Sequence, residues 1–538
     1  TGATYSRVIQ IDNGSTNNTI ANNAIEGTTT ASNITTDFAV VMENTGTTNT
    51  NLTIENNLIK NGSYGFYYVG SGTTDNLMVR NNKFSNQYYM ASYIELCDAV
   101  TVEGNEVSST SVKAGYYGFY IYECDLGITL TKNRLSVPQG YGIYLIYCDA
   151  TAGLRGLVAN NFIHSSGTVN SYGLYSYYST YQNFYYNSVR ITNTIVNSCA
   201  FYNTGVGAGV LNLQNNIFSN EGGGYSFYSA ASTDINTSDY NDLYTTGANL
   251  GYWLGNRTSL ATWQAASSKD VNSVSILPEF VSNTDLHVQN YLLDNKGLPV
   301  SGTATDIDGQ SRSVLTPDIG ADEWTTPVND AGVVSLNQST TLCSSSDSVY
   351  LNIKNFGTAT LTSATVNWKV NGVNQASFSW TGSLAQGSTT ANFSAGYYNF
   401  GLGTSYSIYA WTTAPNGGSE GFNHNDTAQI IGTYQAMTGT YTIGGLTPDY
   451  ATFSAAVTDL TNGGVCGPVT FNVRNGIYTE QVILTTIAGT SSVNTVTFQS
   501  ENNDSTLVTL TFSPSLADNY TLRLNGADYV TIRKMTLK

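Results

Sequence analysis

Short runs of alternating apolar and polar residues, each leading into an asparagine, recur along the first half of the chain. Leu52–Glu55, Val100–Glu103 and Ile128–Thr131 are three such runs, and an alternation of period two predicts β-strands with one buried face. The asparagines form a series that we call the asparagine column: Asn23, Asn57, Asn82, Asn105, Asn133, Asn161, Asn187, Asn216 and Asn241. Its members lie 23 to 34 residues apart, a period typical of stacked structural repeats.

Each repeat predicts three short strands separated by turns rich in Gly, Asn, Ser and Thr, with no helical period. This pattern favours a right-handed parallel β-helix over residues 1–325, in which each coil contacts only its neighbours. A leucine-rich horseshoe would need several leucines per repeat. A β-propeller would need about 40–45 residues per blade.

The asparagine column has two interpretations. An Asn at a tight turn tolerates left-handed backbone angles, and its side-chain amide can bond the equivalent Asn one coil away. The alternative is a row of amides offered to a ligand. We favour the structural role, and it predicts that Asn133→Leu lowers stability and leaves binding unchanged.

A tyrosine column runs in step with the asparagines. It comprises Tyr67, Tyr93, Tyr120, Tyr144, Tyr175, Tyr202 and Tyr228, six of which follow an apolar residue of a second column, Phe66, Phe119, Ile143, Leu174, Phe201 and Phe227. Because neighbouring residues of a strand point to opposite faces, we expect the apolar column in the core and the tyrosines exposed or half-exposed. An outward tyrosine column would be an aromatic stripe able to stack on sugar rings, whereas an inward one would be core packing.

Two further columns share the repeat. Cys97, Cys124 and Cys148 predict buried, reduced thiols that pack as small apolar side chains. The residues that follow them are Asp98, Asp125 and Asp149. Three carboxylates in register are a candidate catalytic or Ca²⁺ constellation, although Asp is also an ordinary turn residue after a strand. Lys132 and Arg134 are the basic residues closest behind Asp125 in sequence.

The chain changes character after the repeats. Leu260–Ala266 predicts a short helical insert, and Thr325–Pro327 a linker. Residues 326–436 hold about seven alternating runs, which predict an immunoglobulin-like β-sandwich with a hairpin at Asn371-Gly372. Residues 437–538 predict a helix over Tyr450–Leu460, followed by the first coils of a second β-helix. We therefore expect an all-β protein that begins inside one solenoid and ends inside another.

Composition and charge disfavour several classes of function. The chain has 538 residues, 39 Tyr, 9 Pro and only 11% charged residues, with a net charge of −17. This charge disfavours a nucleic-acid partner, which needs clustered Lys and Arg. No apolar run is long enough for a membrane-spanning segment, and no signal peptide is visible at the start. Cys343 and Cys466 lie at the start of the sandwich and in the following cap, where a disulfide would clamp the two modules.

Two motifs near residue 325 carry a resemblance. Asp306–Arg312 and Pro317–Trp324 resemble the closing segment of secreted bacterial pectin-lyase-like β-helix proteins, which implies a β-helix terminus there. Asp306 and Asp308 could form a Ca²⁺ loop, but we expect a turn before a final strand.

The other modules carry resemblances as well. Residues 326–436 resemble the adhesion-type sandwich modules of bacterial surface proteins, and residues 437–538 resemble the cap and first coils of pectin-lyase-like proteins. The module order is similar to that of very large surface proteins exported by Bacteroidetes-type bacteria, in which O-glycans would mark Ser348 and Thr427.

The sequence shows none of the usual catalytic signatures. His164, His287 and His424 are scattered, and no metal-ligand spacing, phosphate loop or nucleophile elbow appears. We therefore assign no catalytic, cofactor-binding or metal residues and no cofactor. We expect an extracellular structural or adhesive segment, whose partners are neighbouring modules, surface glycans or other cells. The alternative is a polysaccharide lyase or glycoside hydrolase acting around Asp98, Asp125 and Asp149.

Overall fold

The computed structural model describes residues 7–44, 50–205, 210–422, 425–513 and 519–538. The chain divides into two compact units, Thr1–Thr325 and Thr326–Lys538. The described residues contain two α-helices, α1 at Leu260–Ser267 and α2 at Phe453–Gly463. Short 3₁₀ turns lie at Thr36–Phe38, Ser232–Asp234, Tyr291–Leu293 and Pro415–Gly417. Neither α-helix is long and apolar enough to cross a membrane.

The first unit is a parallel β-helix of three sheets. The described strands of the first sheet are Ile9–Ile11, Ala39–Asn44, Tyr64–Thr74, Met90–Asp98, Tyr117–Tyr122, Tyr141–Ile146, Tyr172–Tyr177, Cys199–Thr204, Tyr225–Ser229 and Gly251–Trp253, closed by the antiparallel Asn256–Arg257. The second sheet contains Thr19–Ala21, Thr53–Glu55, Met78–Arg80, Thr101–Glu103, Thr129–Thr131, Gly156–Ala159, Gln182–Tyr185, Leu211–Gln214 and Ile235–Asp239. The third contains Ala24–Glu26, Leu58–Lys60, Lys83–Ser85, Glu106–Ser108, Arg134–Val137, Phe162–Ser165, Ser188–Ile191, Ile217–Asn220 and Asp242–Thr245. The predicted β-helix is confirmed.

The core of the β-helix is built from stacked columns. The predicted apolar column, Phe66 to Phe227, is fully buried at every member. Cys97, Cys124 and Cys148 are free and buried in the same core, as predicted. Burial raises the pKa of the Cys148 thiol to about 12, so it stays protonated and packs as an apolar group.

Each buried member of the asparagine column bonds to the next coil. The Asn105 backbone N–H and amide donate to Asn133 Oδ1 at 3.0 and 3.1 Å, and Asn133 repeats this toward Asn161. The structural interpretation is therefore confirmed, but one detail of it is wrong. The left-handed residue is the one before the column, such as Asn56 at φ 54° and Asn81 at φ 54°. The column asparagines themselves keep ordinary backbone angles, because their amides must point along the stack.

The β-helix ends at a polar cap carried by α1. The predicted insert forms this helix, and its Trp263 is fully buried. The carboxylate of the buried Asp270 accepts hydrogen bonds from Trp263 Nε1 at 2.7 Å and from the amide of Asn241 at 3.0 Å. These contacts satisfy the last member of the asparagine column, which has no further coil to bond.

Residues 275–324 return along the outside of the third sheet. Their apolar side chains pack on Phe162 and Ile217 in a small second core. Arg312 donates to Asn160 Oδ1 at 2.8 Å and lies 3.9 Å from the Tyr186 ring. The expected final strand is wrong, because the segment Pro317–Trp324 is turn and irregular structure fixed by side-chain hydrogen bonds.

The second unit begins with two sheets around one core. The smaller sheet holds Ala331–Leu336, Ser346–Asn355 and Phe393–Asn399, and the larger holds Thr341–Leu342, Leu361–Val370, Val373–Asn374, Phe378–Leu384, Tyr406–Thr413 and Thr427–Gln435. The hairpin at Asn371-Gly372 is present, with positive φ at both residues. Both sheets contribute to one buried cluster around Trp368 and Ile408. Ser348 is buried, whereas Thr427 is exposed.

The rest of the second unit starts another set of parallel coils. Its strands are Met437–Ile443, Val465–Val473, Gly476–Thr479, Val482–Leu484, Val496–Ser500, Val508–Thr511, Leu522–Leu524, Val530–Arg533 and Thr536–Leu537. The predicted helix is present, but it begins at Phe453 and ends at Gly463; its buried residues join the core of these coils. The run 478–484 is split between two sheets, and the Glu480 carboxylate at the break accepts from the first N–H groups of α2. Cys343 and Cys466 form a disulfide; the module boundary at residue 436 stays a prediction.

Candidate functional site

The tyrosine column covers the outer face of the first sheet. Its members pair residue for residue across successive strands, and Tyr252 extends the column beyond Tyr228. All eight are half-buried, which confirms the expected exposure. Most rings stack face to face, for example Tyr175 on Tyr202 at 4.5 Å and Tyr228 on Tyr252 at 4.4 Å. The Tyr144 ring is turned by comparison: it lies at 85° to the Tyr175 ring and stacks on Tyr141 of its own strand.

This stacking corrects one expectation. A stripe that stacks on sugar rings needs open ring faces, but here most faces are covered by the next tyrosine one coil away. The column therefore presents mainly ring edges and hydroxyl groups. Within the part of the chain that the structure describes, the Tyr120, Tyr228 and Tyr252 hydroxyls have no protein partner and are not among the buried unpaired atoms, so they meet solvent.

A second row of tyrosines flanks the first. It consists of Tyr64, Tyr117, Tyr141, Tyr172 and Tyr225, each three residues before a member of the first column. This row was not predicted, although the recurring Tyr-x-x-Tyr spacing is visible in the sequence. Two consecutive buried residues, a small one and one of the apolar column, separate the two rows, so the strand departs from regular alternation between them. A Cβ at Gly118 would lie 2.6 Å from the Leu135 side chain, so glycine is required there. We call the two rows together the tyrosine face.

Two connected grooves run along the tyrosine face. One, of about 480 Å³, is lined by Tyr117, Tyr141, Tyr172, Thr168, Asn170 and Ile195 among others. The other, of about 300 Å³, is lined by Tyr172, Tyr202, Tyr225, Tyr228, Tyr252, Asn170, Asn197 and Asn256. They share Asn170 and Tyr172, so aromatic edges, hydroxyls and amides line one continuous surface.

The electrostatics of the tyrosine face are those of neutral phenols. Burial raises the pKa of Tyr120, Tyr172 and Tyr202 to about 12. At neutral pH each hydroxyl therefore keeps its proton and can both donate and accept a hydrogen bond. The face can make many uncharged polar contacts in a regular array.

Asp98, Asp125 and Asp149 form hydrogen bonds that connect the turns of neighbouring coils. The Asp125 N–H donates to Asp98 Oδ1 at 3.1 Å, and the Asp149 N–H donates to Asp125 Oδ1 at 2.6 Å. Asp149 in turn accepts from Thr180 Oγ1 at 2.8 Å. Asp98 and Asp125 thus hold the backbone of the next coil and Asp149 holds the Thr180 side chain, which favours the turn interpretation over a catalytic one.

The basic residues near that column face elsewhere. Lys132 Nζ donates to Thr305 Oγ1 at 2.8 Å, and Arg134 pairs with Asp308 at 2.5 Å. Both residues therefore hold the covering segment 275–324. Asp306 forms the expected turn by accepting from the N–H groups of Asp308 and Gln310 at 3.0 and 2.7 Å.

A cluster of His287, Asp308 and Asp322 has the composition of a metal site. His287 Nε2 lies 2.6 Å from Asp308 Oδ2, and its Nδ1 contacts Asp285. Burial opposes the charged imidazole, but the hydrogen bonds and charges of the aspartates outweigh it and raise the pKa of His287. Both ring nitrogens are thus engaged, so the cluster is best described as an ion-paired latch between the covering segment and Arg134. Among the other histidines, His164 is buried and His424 lies outside the described residues.

One family model matches part of the chain. The family is described as periplasmic copper-binding protein (NosD), and the match covers residues 3–205, within the β-helix. No curated protein matches the chain. Among the described residues of the matched stretch, no group of His, Cys, Asp and Glu is arranged to hold a metal ion. Its four cysteines are buried: Cys97, Cys124 and Cys148 lie in the core, and Cys199 lines the smaller groove of the tyrosine face. Met42 and Met90 pack among tyrosine rings.

Proposed function

We propose that the first unit is a stiff adhesive segment that binds a neutral polysaccharide along the tyrosine face, outside the cytoplasm. The observation that carries this proposal is the pair of connected grooves lined by tyrosine edges, hydroxyls and asparagine amides. Sugars offer many hydroxyl groups, and the phenol hydroxyls and asparagine amides of this surface can exchange hydrogen bonds with them. The grooves follow successive coils, so a linear chain of sugars would meet similar contacts repeatedly.

Charge supports a neutral ligand. The chain carries −17 overall, and the tyrosines stay neutral at physiological pH. A polyanion such as a polyuronate would approach a negative protein without cationic partners in the grooves, which lowers both its association rate and its affinity.

Rigidity supports an adhesive role. A ligand surface built on stacked strands is ordered before binding, so little conformational entropy is lost on association. The disulfide between Cys343 and Cys466 is typical of proteins in oxidising compartments. The periplasmic family that matches residues 3–205 is consistent with such a location.

Copper binding and catalysis have weaker support. Cu⁺ prefers clustered soft donors or imidazoles, and the described residues of the matched stretch offer one buried histidine, buried thiols and ring-packed methionines. Of the candidate catalytic carboxylates, Asp98 and Asp125 already accept from backbone N–H groups and Asp149 accepts from the Thr180 hydroxyl. We advance neither as the function.

The test is retention of the full chain on insoluble polysaccharides: cellulose, chitin, xylan and cross-linked polygalacturonate. We expect retention on at least one neutral polymer and none on polygalacturonate. Tyr228→Phe keeps the stacked ring and removes one hydroxyl that meets solvent, so it should weaken retention without changing stability. Tyr397→Phe, at an exposed site in the second unit, is the matched control.

Two outcomes would contradict the proposal. One is the absence of retention on every neutral polymer. The other is retention that Tyr228→Phe and Tyr228→Ala leave unchanged, because the ligand would then bind away from the tyrosine face.

A further inference from the structure

Three carboxylates converge in the first half of the second unit. Asp330 directly precedes the strand Ala331–Leu336, Asp426 directly precedes the strand Thr427–Gln435, and Glu420 lies in the loop after Pro415–Gly417. One oxygen from each lies within 4.8 Å of the other two. Three separate segments of the chain thus bring acidic groups to one point.

Asp330 and Asp426 are buried and Glu420 is half-buried, and all three carboxylates are incompletely hydrogen-bonded. Asp330 is 1% exposed and Asp426 is 6% exposed. Asp330 Oδ1, Asp426 Oδ1 and Glu420 Oε2 are each buried without a hydrogen-bond partner among the described residues. The same is true of Asn425 Oδ1, whose amide nitrogen donates to Asp330 Oδ2 at 3.2 Å. When all three carboxylates are ionised, these four buried oxygens have no donor; a proton shared between Asp330 and Glu420 would supply one hydrogen bond.

The described residues supply no positive charge to offset this cluster. None of the ion pairs in the described chain includes Asp330, Glu420 or Asp426. Buried carboxylates without a counter-charge are costly, and proteins retain them mainly where they are paired or hold a metal ion.

We propose that Asp330, Glu420 and Asp426 bind a divalent cation, and that the cation is Ca²⁺. Carboxylate and amide oxygens are the ligands that Ca²⁺ prefers, and its flexible coordination accepts an irregular set of protein oxygens completed by water. Mg²⁺ demands a nearly ideal octahedron and gives up its water reluctantly. Zn²⁺ and copper would select nitrogen or sulfur ligands.

The remaining atoms of the ligands are already fixed. Glu420 Oε1 accepts from the Ala331 N–H at 2.9 Å, and the Asp426 carbonyl accepts from the Val333 N–H at 2.9 Å. These bonds orient two ligands toward the cluster before an ion binds. A bound Ca²⁺ would tie the first strand of the smaller sheet to a strand of the larger sheet, and so stiffen the sandwich.

Isothermal titration of the chelator-treated full chain with CaCl₂ tests the site. We expect one site with a dissociation constant of about 10⁻⁴ to 10⁻³ M, the range of extracellular Ca²⁺ modules, and much weaker binding of MgCl₂. Asp330→Asn and Asp426→Asn should each weaken Ca²⁺ binding at least about tenfold. Asp347→Asn, which removes a carboxylate of the same module outside the cluster, should bind as wild type does.

A stability measurement separates a cation site from a purely structural cluster. Without Ca²⁺, Asp426→Asn should melt at or above the wild-type temperature, because it removes a buried charge; with Ca²⁺, only wild type and Asp347→Asn should gain stability. The proposal is overturned if millimolar CaCl₂ gives neither heat nor a melting shift, which would mean that shared protons neutralise the cluster. It is also overturned if Asp330→Asn and Asp426→Asn bind Ca²⁺ as tightly as wild type.

Discussion

Replacement of Asn133 by leucine tests how the β-helix is held together. Asn133 is fully buried, and its side chain makes four hydrogen bonds. Its Oδ1 accepts from the Asn105 backbone N–H and amide, and its Nδ2 donates to Val102 O at 2.9 Å and Asn161 Oδ1 at 3.0 Å. Leucine has a similar shape but can make none of these bonds.

The magnitude follows from the groups left behind. In Asn133→Leu the Asn105 N–H loses its acceptor and Val102 O loses a donor, both in a dry interior. Each buried group without a partner costs about 1–3 kcal/mol, so we expect the free energy of unfolding to fall by about 2–6 kcal/mol. The Asn161 side-chain oxygen still accepts from the Asn133 backbone N–H, so the lost hydrogen bonds are confined to one junction between coils.

Urea denaturation followed by tyrosine and tryptophan fluorescence measures this change. The control is Asn236→Leu, which removes an exposed amide that bonds Asn212 at 2.8 Å on the same β-helix; exposed changes of this kind cost at most about 0.5 kcal/mol. If Asn133→Leu unfolds at the same urea concentration as Asn236→Leu, the asparagine column does not stabilise the coils and the structural account of it is refuted.

Three other perturbations have defined outcomes. Burial lowers the pKa of His164 to about 4, below its unfolded value of about 6.5, so the free energy of unfolding of the β-helix should fall by up to about 3 kcal/mol as pH falls from about 6.5 to 4. Denaturation of wild type and His164→Gln across this pH range measures the change. An identical dependence of stability on pH in both proteins would contradict this prediction. The double change Cys343→Ser/Cys466→Ser should destabilise the second unit by about 2–5 kcal/mol in calorimetry, whereas an unchanged transition would mean that the pair is not oxidised. Arg312→Met removes a buried cation that holds residues 275–324. It should lower the free energy of unfolding by about 3–5 kcal/mol and make that segment more sensitive to limited proteolysis. If wild type and Arg312→Met are cleaved at the same rate, the Arg312 contacts do not hold the segment.

The repeat was predictable because its physical causes are local. The asparagine and apolar columns recur every 23 to 34 residues, and stacking one coil on the next requires the same residue type at the same point of each coil. The helix α2 was visible for a similar reason, since Phe453, Ala456, Val457 and Leu460 share one face. Patterns of this kind survive in the sequence without knowledge of distant contacts.

The remaining features depend on contacts that no local pattern records. The latch at His287 joins residues 21 and 35 positions apart, and it also engages Arg134 through Asp308. The three carboxylates of the proposed Ca²⁺ site bring Asp330 next to residues about 90 positions later. The direction of the tyrosine rings could not be inferred either, because Tyr144 turns out of the stack while its neighbours do not.

The dissociation constant for a soluble oligosaccharide of the retained polymer decides whether the tyrosine face binds sugar. It should be measured by calorimetry on wild type, on Tyr228→Phe/Tyr252→Phe and on Tyr397→Phe, with unfolding followed in parallel. Loss of two hydrogen bonds at about 0.5–1.5 kcal/mol each predicts binding about 5- to 150-fold weaker in the double variant, with unchanged stability and an unaffected control. Equal affinity in all three proteins would contradict the account, because the hydroxyls of the tyrosine face would then take no part in binding.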